Sequence, residues 1–152
     1  MFRNTKVGIS NLIKWAPIIW RDRDWGHAFF WEVLKFKLER MEKFFRSEKA
    51  VSRNGVRDAD EMKKCLMVLK RITENPYGDI AFKWHDKKWG SLKMSFGPGG
   101  RVNLYRDKVR PEDEGKEREE FRKCVKHEQY LRDQDMTYLF SLMSKHLQSW
   151  WD

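Results

Sequence analysis

From Leu92 to Leu104 the side chains alternate, apolar at Leu92, Met94 and Phe96 and again at Val102 and Leu104, around the turn Gly97-Pro98-Gly99-Gly100. Strict alternation on both sides of a glycine–proline turn predicts a β-hairpin near residues 91–106. Elsewhere a helical pattern dominates, with apolar residues recurring at spacings of three and four. A lone hairpin is marginal in water, so this one is expected to lie against helices. The expected fold is mainly α (α+β), a compact bundle of four to six helices with one β-hairpin near residues 91–106. The chain has 152 residues, a length that suits a single domain over residues 1–152 and one hydrophobic core.

Asp24 is placed to cap a helix from Trp25 to about Arg46, because its carboxylate can accept the free amides of a first turn. Within it His27, Trp31, Leu34, Leu38, Met41 and Phe45 share one face, and Phe29, Val33 and Phe36 widen that stripe, so the helix is expected to be central. Residues 47–57, with Asn54-Gly55, read as a loop. Asp58 or Asp60 then caps a helix to about Glu74 that turns Met62, Cys65, Leu66, Leu69 and Ile72 inward and stops at Asn75-Pro76. Between Ile80 and Lys88 the pattern suits a short helix or a strand. Asp79 as cap and Gly90 as terminator favour the helix. Pro111 with Glu112, Asp113 and Glu114 is a helix start. Phe121, Cys124, Val125, Glu128 and Leu131 continue it, and Met136, Leu139, Leu142, Met143, Leu147 and Trp150 form a further buried stripe. Asp133 or Asp135 would begin a second helix there, so one bent helix and two separate ones both fit.

The apolar stretch Val7–Trp20 is broken by Lys14 and Pro17 and is short of the ~20 residues that span a bilayer. It lacks the uninterrupted apolar core and the cleavage site of a signal peptide. It reads as a buried N-terminal segment, with an interfacial membrane helix as the alternative.

Charge narrows the partner class. Lys plus Arg number 32 against 23 Asp plus Glu, a formal net charge of +9. The first 110 residues hold 25 basic and 13 acidic side chains, a balance of +12, and residues 111–152 hold 7 and 10, a balance of −3. A basic face that meets a polyanion and a separate acidic face are expected. With two cysteines, Cys65 and Cys124, the chain is no disulfide scaffold and has no four-thiolate zinc site, and reduced core thiols are the simpler reading.

Tests for enzyme motifs fail. There is no GxxxxGK[ST], no GxGxxG after a strand, no HExxH and no GxSxG. Cys124 and His127, one helical turn apart, could supply two metal ligands with Cys65 and another histidine. Asp22 with Asp24, and Asp133 with Asp135, could hold Mg²⁺ for phosphoryl chemistry. Helix capping explains both carboxylate pairs more simply. His85 could act as a base but reads as a surface histidine. No catalytic residue, metal or cofactor is expected.

The informative pattern interleaves aromatic and basic residues. Trp15, Trp20 and Trp25 surround Arg21 and Arg23, and Lys83-Trp84-His85-Asp86-Lys87-Lys88-Trp89 repeats the theme. Indole faces can stack on unpaired bases while cations neutralise phosphates. Trp25 and Trp31 are expected in the core, whereas Trp84 and Trp89 fit either role. The candidate binding residues are Arg21, Arg23, Lys83, Trp84, Lys87, Lys88, Trp89, Arg101 and Arg106. Exposed Trp and Arg also dominate protein–protein contacts, so the pattern leaves RNA, DNA and protein open as partners.

The run Trp20-Arg21-Asp22-Arg23-Asp24-Trp25, with Glu32, Leu34, Phe36-Lys37-Leu38 and Arg40-Met41, resembles the opening of small proteins of tailed bacteriophages. His85-Asp86-Lys87-Lys88-Trp89-Gly90, Glu117-Arg118-Glu119-Glu120-Phe121 and Trp150-Trp151-Asp152 are similar to the same group, so the likeness covers most of the chain. Gly26 stands where an acidic residue is expected after the second Trp. The resemblance implies phage origin and action in the host bacterial cytoplasm, and carries over no catalytic residue. The expected function is a non-enzymatic interaction protein that binds nucleic acid or a host nucleoprotein complex, including a defence or CRISPR complex, with no membrane partner. The alternative is a small metal-dependent enzyme acting on nucleic acid or nucleotides.

Overall fold

The computed structural model describes residues 2–22, 26, 28–50 and 52–151, and the side chains of these apart from Phe2, Arg3 and Trp151. In chain order they form α1 (Phe2–Ile19), α2 (Ala28–Phe45), α3 (Gly55–Glu74), α4 (Tyr77–Trp89), β1 (Leu92–Phe96), β2 (Val102–Arg106) and α5 (Glu114–His146). The protein is mainly helical with one hairpin, as the periodicities require. Its contacts divide into two compact units, residues 1–73 with 139–152, and residues 74–138.

The first unit is built on apolar burial. Leu38 and Met41 of α2, Met62, Cys65, Val68 and Leu69 of α3, Leu139 of α5 and Trp150 form its core. Trp31, Leu34, Phe45, Leu66, Ile72, Leu142 and Met143 pack around it. Most of the stripes expected on α2, α3 and the end of α5 are therefore internal, though Leu147 is exposed. The expected cap Asp24, with Trp25 and His27, lies outside the described residues. α3 begins at Gly55, three residues before Asp58, so the expected loop is shorter and Asp58 is no cap. The Asp58 amide donates to Asn54 O at 3.0 Å, and its side chain is buried in the first turn. Gly55 is needed at this start because a Cβ there would sit 3.0 Å from Phe45 O.

The N-terminal segment departs most from expectation. α1 is helical, but it is not buried. Trp15 meets Phe36 of α2 edge-on at 4.7 Å, and Arg40 donates to Asn11 Oδ1 at 3.0 Å. Ile9, Leu12, Ile13, Ile19 and Trp20 stay exposed, Trp20 at 86%. Asn11 and Trp15 meet α2, whereas the isoleucine-rich face stays largely open to solvent.

In the second unit α4 resolves the helix-or-strand ambiguity as a helix. Asn75 takes φ +50°, the left-handed region that Asn tolerates, and α4 starts after Pro76. Gly90 ends it at φ +83° and ψ 161°, a conformation essentially confined to glycine, with its amide donating to Asp86 O at 3.0 Å. The hairpin pairs Leu92 with Arg106, Met94 with Leu104 and Phe96 with Val102, the register its alternation demands. Gly99 and Gly100 both take positive φ in the turn. The apolar face is nevertheless uncovered, with Phe96 at 76% exposure, contrary to the expected packing on helices. Arg106 anchors its end of the hairpin to Asp86, Glu117 and the Gly90 carbonyl.

α5 is one continuous helix of 33 residues. No Gly or Pro interrupts residues 116–146, so nothing breaks it. Asp133 and Asp135 therefore cap nothing. Asp133 accepts from Gln129 at 2.8 Å, and buried Asp135 accepts the Tyr77 hydroxyl at 2.8 Å.

Candidate nucleic-acid interface

Helical spacing gives α4 two unlike faces. Tyr77, Ala81, His85 and Trp89, four residues apart, are buried, and Asp79, Ile80, Lys83, Trp84 and Lys87 are exposed. The expected binding residues divide along this line. Lys83, Trp84 and Lys87 share the solvent face, with the Trp84 indole 59% exposed. Among the described residues neither Lys83 nor Lys87 forms an ion pair. Lys88 sits at the edge, its Nζ 2.7 and 2.8 Å from the Glu120 carboxylate oxygens and 4.8 Å from the Trp84 ring centre.

Trp89 points inward and donates its Nε1–H to Glu120 at 2.7 Å. The Lys88 ammonium and the Trp89 N–H together hold the Glu120 carboxyl below the usual carboxylate range, Lys88 contributing most. Arg106 is likewise internal, at 8% exposure. Its guanidinium reaches Asp86 at 2.5 Å, Glu117 at 3.3 Å and the Gly90 carbonyl. Buried and tied to two carboxylates, Arg106 fastens β2 to α4 and α5 instead of facing a ligand. His85, expected at the surface, is fully buried. It lies edge-on to Phe82 and Phe121, with Nε2 3.4 Å from Glu117 O.

Arg101 is exposed at the hairpin turn of this unit, and Arg21 is exposed in the other unit. Arg23 lies outside the described residues.

The structure adds residues that the sequence reading did not select. Ala81 and Trp84 of α4 and Glu120, Lys123, Cys124 and His127 of α5 line an open cavity of about 230 Å³. His127 stacks on the exposed Tyr130 at 6.5 Å with an interplanar angle of 15°. Trp84 thus borders a groove whose lining offers one cation, Lys123, and one further ring, His127. The i, i+3 and i+4 spacing of the lining residues was visible on α5, but its register against α4 was not. Lys123 pairs with Glu119 at 2.7 Å, which raises the lysine's pKa and lowers the glutamate's.

Of the residues expected to offer metal chemistry, Asp24 lies outside the described residues. Cys65 belongs to the core of the first unit and Cys124 to the second unit. Burial pushes both thiols up, that of Cys65 to about 11. Among the described residues no three His, Cys, Asp or Glu side chains gather as a ligand set. Among them, too, no helix is long and apolar enough to cross a membrane. Comparison with protein-family models, with curated proteins and with solved structures finds no match to this chain.

Proposed function

We propose that this chain is a non-enzymatic interaction protein that binds single-stranded nucleic acid through the solvent face of α4. The observation that carries the reading is the exposed Trp84 indole, flanked on its own face by Lys83 and Lys87 and bordered by Lys123 and His127. A base stacks on the indole, and the lysines neutralise its flanking phosphates. Lys88 is held by Glu120 and serves to orient Trp84 more than to meet a ligand. The resemblance to tailed-phage proteins supports action in a bacterial cytoplasm, on free RNA or DNA or on the nucleic acid of a host defence complex.

Fluorescence anisotropy with labelled single-stranded RNA and DNA tests this. Affinity should fall with salt, with a logarithmic slope of about −0.7 per phosphate contacted. Trp84→Ala should weaken binding by about 1–3 kcal/mol, the value of one stacked base. Trp84→Phe should retain part of it, and Lys83→Glu with Lys87→Glu should flatten the salt response. Binding indifferent to both salt and Trp84, or turnover of the nucleic acid on adding Mg²⁺, Mn²⁺ or Zn²⁺, would overturn the reading.

A further inference from the structure

The uncovered face of α1 is independent of that site. Ile9, Leu12, Ile13, Ala16, Ile19 and Trp20 recur at spacings of three and four and so lie along one side of the helix. The adjoining side carries Asn11 and Trp15, the residues that meet Arg40 and Phe36 of α2. The apolar face is therefore not a core stripe awaiting its own unit. Leu12, Ala16, Ile19, Trp20 and Arg21 border an open hollow of about 880 Å³ along it.

Charge chooses the occupant. Residues 1–21 contain Arg3, Lys6, Lys14 and Arg21 and no acidic residue. Exposed Lys6 lies at the edge of the apolar face and exposed Lys14 beyond it. A second copy of the chain would bring equal basic flanks together. A nucleic acid would offer nothing to a row of aliphatic side chains. An anionic lipid surface satisfies both halves, acyl chains for the isoleucines and headgroups for the cations, with an indole at the depth that tryptophan prefers. The helix is not apolar enough to span, which is the composition of one that lies in the interface plane.

We infer that α1 docks the protein on anionic phospholipid membranes by burying this face in the headgroup–acyl boundary. The expectation of no membrane partner gives way to a peripheral one.

Co-sedimentation of the full chain with phosphatidylserine-containing and with pure phosphatidylcholine vesicles tests the inference. Binding should be strong to the first, weak to the second, and reduced by salt. Leu12→Glu and Ile13→Glu should each weaken binding at least about tenfold, the burial of one large aliphatic side chain. Lys6→Glu and Lys14→Glu should each cost about fivefold or more. These sites are exposed, and circular dichroism should show the helix content unchanged. Lys83→Glu with Lys87→Glu should leave vesicle binding intact, which separates this surface from the face of α4. No binding to anionic vesicles, or binding untouched by Leu12→Glu and Ile13→Glu, overturns the inference. So does a dimer that the same substitutions dissociate and that binds no vesicles, since a second copy would then cover the face.

Discussion

The two compact units are held together by different chemistry. The first buries hydrocarbon: Leu38, Met62, Val68, Leu69 and Leu139 are nearly or fully inaccessible and carry no polar side-chain atom. In the second, every large buried side chain among the described residues has a polar handle. Tyr77 donates to Asp135, Trp89 donates to Glu120, Arg106 binds two carboxylates, and His85 sits over Glu117. Apolar burial is non-directional and tolerates relaxation, whereas a buried polar set holds its partners only while each is satisfied. The unit that presents Trp84 is thus the one whose geometry is fixed by direction, and it is also the more sensitive to charge.

Single substitutions can break this contrast. The largest loss is expected for Leu69→Ala, about 3–5 kcal/mol in chemical denaturation, because a fully buried leucine leaves a cavity. Arg106→Ala should cost about 2–3 kcal/mol, less than a fully buried pair, since Asp86 remains partly solvated. If Arg106→Met proves neutral instead, hydrocarbon can replace the polar set and the contrast dissolves. Gly90→Ala should cost about 1–3 kcal/mol, because alanine is strained at this φ and ψ.

Acid should sharpen the contrast. The Glu120 carboxyl is depressed by Lys88, so its contribution is fully present above the ordinary value of 4.5 and is lost as pH falls through the depressed one. Hydrogen exchange should show α4 amides losing protection before α3 amides as the pH falls below 4.5, and Lys88→Met should abolish the difference. A final measurement leaves stability untouched. With its thiol pushed up to about 11 by burial, Cys65 should resist iodoacetamide at neutral pH, while half-buried Cys124 labels first. Equal rates would mean that the first unit opens as readily as the second.

Periodicity was enough to find the hairpin, the α2 and α3 stripes, and the stop at Gly90, because these depend on neighbours within a few residues. It also isolated the Lys83–Lys88 run as aromatic and basic. Whether a given member faces water was beyond it. Trp84 and Trp89 are indistinguishable by type, and only the packing of α4 on α5 turns one outward and buries the other against Glu120. Arg101 and Arg106 look alike on paper for the same reason. One is at the turn and the other at the anchored end of the strand.

The amino-acid order alone therefore determined which segments coil, where they stop, and that cations and indoles are interleaved, since backbone propensity and side-chain spacing act locally. Which apolar stripes find a partner was decided only in three dimensions. α1 and α3 are both amphipathic, yet α3 buries its stripe and α1 shows one to solvent, because burial depends on what the rest of the chain brings alongside and not on the stripe itself.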